Sequence, residues 1–324
     1  MTTWRWSVCC CERPGEKWRQ SQQQLEARIA NGGPAAGLAF EALTAGLLYR
    51  YRLNEADRHI ARWLEREPGS TLALLAKGKL HEHREQTSDS VAVYRHILDL
   101  DPEYDEVRLR LTTNLLQLSH VEDALAHLQY LHSRLPDNPH VRLELGQALD
   151  ATGRTEEAVA VLDECLRRDP DHAGALAERG RIARMRGDAA QAEELLYRAT
   201  RLDPGHSGAR YQYFLTLTQN GKATEAAKEQ EVLGQIAADV VRVKEILLGR
   251  VQDAPNDPAA PHEIAMIALR AGRPKEALRW LQNALQVGPD HVPTHRALAA
   301  LYHETGNPIL SAKHRAIAQR LSSQ

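Results

Sequence analysis

Five prolines, Pro68, Pro102, Pro136, Pro170 and Pro204, stand 34 residues apart. Pro255 and Pro289 repeat the interval, and Pro34 fits it at the front. A fixed period of this size marks a stacked repeat array, in which one unit cannot bury its apolar face alone. Proline has no amide hydrogen and disfavours helix in the residue before it, so each of these residues ends a helix and opens the next repeat.

Aligned on that ladder, the repeats 37–70, 71–104, 105–138, 139–172 and 173–206 agree elsewhere. The eighth residue is Thr44, Gly78, Thr112, Gly146 or Gly180, and the twentieth is Ala56, Ser90, Ala124, Ala158 or Ala192. These small residues let two helices of a pair approach closely. The twenty-fourth is Ile60, Tyr94, Leu128, Leu162 or Leu196, a large side chain expected to plug the next pair. Gly153, Gly187 and Gly272 fall between the helices of their repeats, where a glycine supplies the left-handed turn that caps the first helix.

With these positions in place, the chain resembles the tetratricopeptide repeat (TPR) family over about residues 37–324. The best-matching stretches are LELGQALDATGRTEEAVAVLDECLRRDP (143–170) and LAERGRIARMRGDAAQAEELLYRATRLDP (176–204). The family's aromatic at the fourth position is mostly Arg or Leu here. The resemblance implies an all-α fold: about eight helix–turn–helix repeats stacked as a right-handed superhelical solenoid with a concave groove.

The ends and the sixth repeat depart from the pattern. Residues 1–15, with Cys9, Cys10 and Cys11, read as a disordered tail, because Pro14 and Gly15 break a helix. Residues 16–36 read as an N-terminal helix, a half repeat or cap. Repeats one to five occupy 37–206. In the atypical sixth, 207–257, the next proline comes 17 residues late, so its second helix extends over 224–253, roughly 45 Å at 1.5 Å per residue. Leu233, Ile236, Val240, Val243 and Leu247 form a seam along it. Either the seventh repeat covers that seam, or it joins copies of the chain. Repeats seven and eight, with a C-terminal cap helix, fill 258–324. On repeat one, Leu38, Ala42, Ala45, Leu48 and Tyr49 are apolar on the expected open face, for which helix 16–30 is a candidate lid.

The net charge of −2 is no signature of a nucleic-acid partner. The four cysteines make no disulfide framework, and no apolar run is long enough to span a membrane. Free thiols and the lack of a signal peptide point to the cytoplasm, unless an upstream segment precedes Met1. The 15 histidines show no ligand spacing; His295, His303 and His314 read as surface residues. Nucleophile elbow, P-loop and dinucleotide fingerprints are all missing, so the expectation is no enzyme, no cofactor and no metal.

What remains is the groove, lined by the first helix of each repeat. Its candidate residues are Lys79, His83, Arg110, Glu144, Gln147, Asp150, Glu178, Arg181, Arg184 and Gln212. Mixed charge and amides suit an extended peptide or a charged helix. The sixth residues, Ala42, Ala76, Arg110, Glu144, Glu178 and Gln212, form no asparagine ladder, and no three consecutive repeats carry a carboxylate clamp. The expected function is a non-enzymatic protein- or peptide-binding scaffold. The alternatives are a self-associating structural protein joined through 224–253, or the non-catalytic part of a larger or membrane-anchored protein.

Overall fold

In the computed structural model, which describes residues 14–33 and 35–323, paired α-helices follow one another along the chain. The three adjacent cysteines, most of the expected tail and Pro34 lie outside the described residues. Helix α1 (Pro14–Asn31) begins at Pro14. The proline therefore opens this helix instead of breaking it, since its missing N–H falls in the first turn, where no intrahelical partner is needed.

By contacts the chain divides into two compact units, Ala56–Arg242 and the residues up to Glu55 together with those from Val243 onward. The central unit holds α4 (Thr71–His83), α5 (Thr87–Leu100), α6 (Asp105–Gln117), α7 (Val121–Arg134), α8 (Pro139–Ala151), α9 (Thr155–Arg168), α10 (Ala173–Met185), α11 (Ala189–Leu202) and α12 (Ser207–Gln219). Each first helix packs on its second, and the second on the next first helix. First helices also touch one another, α6 with α8, α8 with α10 and α10 with α12, which places them on the inner side of the stack.

The small and large positions of the repeat meet inside this core. Ala124, Leu128, Ala158, Leu162, Ala192 and Leu196 are wholly buried. A Cβ added to Gly78 would stand 2.2 Å from the Tyr94 ring, one on Gly146 2.7 Å from Leu162, and one on Gly180 2.6 Å from Leu196. The large residue thus fills the gap opposite the eighth residue of its own repeat. The missing side chain on the first helix makes that gap. The fifteenth residue is left-handed throughout: glycine in five repeats, with φ +70° to +81°, but Tyr51, Glu85 and Ser119 in the first three.

The other unit is built from both ends of the described chain. It contains α1, α2 (Ala35–Tyr49), α15 (Ala259–Arg270), α16 (Pro274–Val287), α17 (Val292–Glu304) and α18 (Pro308–Ser322). Helix α1 packs on α2 and also on α16. Tyr51 lies 6.3 Å from Trp280, and Gln252 Nε2 donates to the Tyr51 carbonyl at 2.8 Å. As a lid, α1 behaves differently from expectation. Its Trp18 sits on Gly46, and Leu48 is buried, whereas Leu38, Ala42, Ala45 and Tyr49 stay exposed.

The long helix α13 (Ala223–Glu245) runs straight into a π turn, Ile246–Arg250, and a final short turn, α14 (Val251–Asp253). The π turn carries one more residue than an α-helical turn. That lets Ile246 and Val251, five apart, share a buried face against Ile264, Trp280 and Leu298. Val243 and Leu247 pack on the same cluster. The C-terminal part of the seam is therefore covered within its own unit, while Val232, Val240 and Val241 remain exposed.

His295 is a core residue and His314 is half-buried, contrary to the surface reading, whereas His303 is exposed as expected. His295 is 4% exposed. Its Nε2 donates to the Pro289 carbonyl at 2.9 Å, so its Nδ1 lone pair accepts the Nδ1–H of His314, also at 2.9 Å. Tyr302 stacks on His314 at 5.7 Å. Burial, followed by the charges of His295 and Lys313, lowers His314 from its usual 6.5 to about 4. The unfolded chain therefore binds this proton first as pH falls, and stability drops from about pH 6.5 down to about 4. Melting temperatures followed across that window should fall for the wild type, and the slope should flatten in His314→Gln.

Candidate binding groove

The first helices α4, α6, α8, α10 and α12 carry every residue singled out for the groove. Most of these side chains reach across to the neighbouring repeat. Lys79 pairs with Glu106 at 3.2 Å, and Arg110 with Glu82 at 2.9 Å and Glu106 at 3.4 Å. Asn114 adds an amide bond to Glu82 at 2.9 Å and accepts the Ser90 hydroxyl at 2.7 Å. Glu144 is only 4% exposed and accepts from Thr112 and Thr113 of the preceding repeat at 2.7 and 2.5 Å. Gln147 donates to Glu178 at 3.1 Å. Arg181 bridges Asp150 at 2.5 Å and Glu178 at 2.8 Å. Arg184 donates to Gln212 at 3.0 Å. His83 is half-buried at the end of α4.

This lattice perturbs its members. Burial raises the Asp150 carboxyl, but hydrogen bonds from Arg181 and Thr155 and the Arg181 charge outweigh it and leave it below its usual value. Glu106 follows the same balance, with Lys79 and Arg110 as the opposing groups. Burial lowers Arg110, and the Glu82 charge together with Tyr94 and Glu106 more than reverses it. Such bonds fix the register of successive repeats and lock long side chains that would otherwise lose entropy on binding.

The polar floor leaves specific features open. A cleft of about 500 Å³ is lined by Glu82, Glu106, Arg110, Gln117 and His140. Further along, Met185 is 67% and Tyr211 51% exposed, at groove positions of the repeat register. Tyr211 stacks with Phe214 at 6.4 Å, and Arg181 Nη1 lies 3.2 Å from the Met185 sulfur. Sequence reasoning passed over Glu82, Glu106, Met185 and Tyr211. The signal for the two carboxylates was present: each stands 27 or 28 positions from its cation, about one repeat away. Among the described residues no group of three or more His, Cys, Asp or Glu could hold a metal, and no helix is long and apolar enough to cross a membrane.

The tetratricopeptide repeat family model matches residues 115–179, and a second tetratricopeptide model matches 265–283. No curated protein matches the sequence. Among solved structures the chain is similar to PilW, a type IV pilus biogenesis factor, at 16% identity and TM-score 0.54 over 62% of this chain and 93% of that one. It is also similar to YrrB, a TPR protein with an unusual peptide-binding site, at 18% identity and TM-score 0.36 over 63% and 96%. The human IFIT1 dimer with m7Gppp-AAAA gives 16% identity and TM-score 0.45 over 95% and 73%. At 16% identity the likeness to PilW is one of fold. The 34-residue pairing of helices, the buried small and plug positions and the two family-model matches agree: residues 115–179 and 265–283 match tetratricopeptide repeats, and the described chain has the paired-helix repeat fold that goes with them.

Proposed function

We propose that this chain is a non-enzymatic scaffold that binds an extended peptide or protein segment along the first-helix face of residues 56–242. Tetratricopeptide arrays are in general protein-interaction modules. The observation that carries the reading is the contrast on this face: ordered, cross-linked polar side chains surround two exposed apolar ones, Met185 and Tyr211. Large side chains in a pre-organised polar frame are the usual anchors of recognition. Arg184, held by an amide instead of a carboxylate, keeps charge available for an acidic flank. The test is selection of a displayed random-peptide library on the full chain. Selected peptides should lose tenfold or more in affinity on Tyr211→Ala, and acidic ones should also weaken on Arg184→Glu. Peptides that bind both variants like the wild type would sink the proposal.

A second reading, self-association through the long helix, draws on Val232, Val240 and Val241, which are 36%, 63% and 58% exposed on α13. Light scattering of the full chain at micromolar concentration separates the two: a monomer there excludes the oligomer.

A further inference from the structure

The unit formed by both ends of the described chain contains a guanidinium, that of Arg50, with no counter-ion among the described residues. Arg50 lies 3.7 Å over the Trp18 ring, and its Nη1 donates to the Gly46 carbonyl at 2.9 Å. Among the described residues no carboxylate pairs with it, and its Nε–H has no partner. Burial, only partly opposed by Tyr49 and reinforced by the charge of Arg52, pulls it down to about 10. Arg52 itself is taken up by Glu55 at 2.5 Å.

This guanidinium borders a small cleft of about 50 Å³ together with Trp18, Arg52, Asn256 and Asn283. Asn283, on α16, is only 5% exposed, yet its amide bonds to no described residue. The indole N–H of Trp18 is also unpaired. Asp257 is on the wall but does not neutralise Arg50. It is held by Arg250 at 3.0 Å and by the Ala259 amide at 2.9 Å. Buried polar groups are nearly always bonded, and unpaired ones gathered on one cleft call for a ligand. The walls supply the donors of Arg50, Trp18 and Asn283 beside one unpaired buried acceptor, Gln286 Oε1, and the volume is far too small for a peptide or a nucleotide cofactor.

We propose that this cleft binds a small oxyanion, a carboxylate or a phosphate, whose oxygens complete the hydrogen bonding of Arg50 and Asn283 and so tie α2 to α16. The site lies in the end-built unit and is independent of the groove reading.

Thermal unfolding of the full chain in sodium phosphate, sodium acetate and sodium chloride at equal ionic strength tests it. The wild type should melt roughly 2–4 °C higher in phosphate or acetate than in chloride, since a ligand that binds only the folded state raises its stability. Phosphate or acetate as the active salt tells the two ligand sources apart. Arg50→Gln should melt at the same temperature in all three salts. Asn283→Asp, which builds a carboxylate into the cleft, should equal or exceed the wild type in chloride and respond to neither anion. An equal anion response in wild type and Asn283→Asp, or no response in the wild type, overturns the proposal, and isothermal titration of phosphate and acetate gives the same answer without unfolding.

Discussion

Trp280→Ala should destabilise the protein by about 3–5 kcal/mol, the usual cost of emptying a buried tryptophan site. Trp280 is 3% exposed and stands among Ile264, Leu281, Leu285 and Leu298. Tyr51 packs on one side of the ring and Arg279 lies 5.1 Å over it. The loss should therefore appear in two places at once. Hydrogen exchange should quicken in α2 as well as in α15 and α16, although more than 200 residues separate them. Trp280→Phe is the control. It keeps an aromatic ring against Tyr51 and removes an indole N–H that has no partner, so its loss should be well below that of alanine. Exchange confined to α15 and α16 would show that the tryptophan does not hold the chain ends together.

The second large effect concerns Arg181. Charge reversal on a solvated helix face usually leaves stability nearly unchanged. Arg181 is different: it is three-quarters buried and ties together two carboxylates, one of them on the preceding repeat. Arg181→Glu would leave three carboxylates facing one another. Removing one partner of a fully buried pair costs about 3–5 kcal/mol. With Asp150 10% and Arg181 25% exposed, roughly 2–3 kcal/mol is expected here. Urea denaturation reads the difference, and Arg181→Gln should lose less. The deficit of Arg181→Glu should also shrink as pH falls through the carboxylate range, because protonation relieves the repulsion. Arg184→Glu, with only the Gln212 amide to lose, should stay within about 0.5 kcal/mol of wild type.

Legibility followed distance in sequence. Pro68 to Pro204, Gly146 with Ala158, and Leu162 were readable because a 34-residue period repeats one packing problem and each solution reinforces the others. Cross-repeat pairs such as Glu82 with Arg110 were readable in principle, since a cation and a carboxylate one period apart on facing helices must meet. They are easily overlooked because a carboxylate on a helix is ordinarily paired with a cation three or four residues away on the same helix. Glu156 and Glu193 show the difference: they bond Arg186 and Lys222 of the following repeats. The histidine pair His295 and His314 was unreadable, because a histidine packed inside a repeat has no pattern that separates it from a surface one. Nor does any local signal show that Trp18 and Tyr51 share a unit with α16. Shape complementarity between segments so far apart leaves no periodic trace.

The contact of α1 and Tyr51 with α16 bears on how the protein is made. An ordinary repeat array can nucleate anywhere and grow by neighbours, since every contact is local. Here the first helix emerges from the ribosome with part of its apolar surface committed to partners some 250 residues downstream. It must wait through most of synthesis, at roughly 5–20 residues per second, before Trp280 and Gln252 exist to receive it. Closing so long a loop adds an entropic step that a linear array avoids. The central repeats should therefore fold early in translation and the end-built unit only once α16 has emerged, so the oldest helix of this unit completes its packing together with one of the youngest.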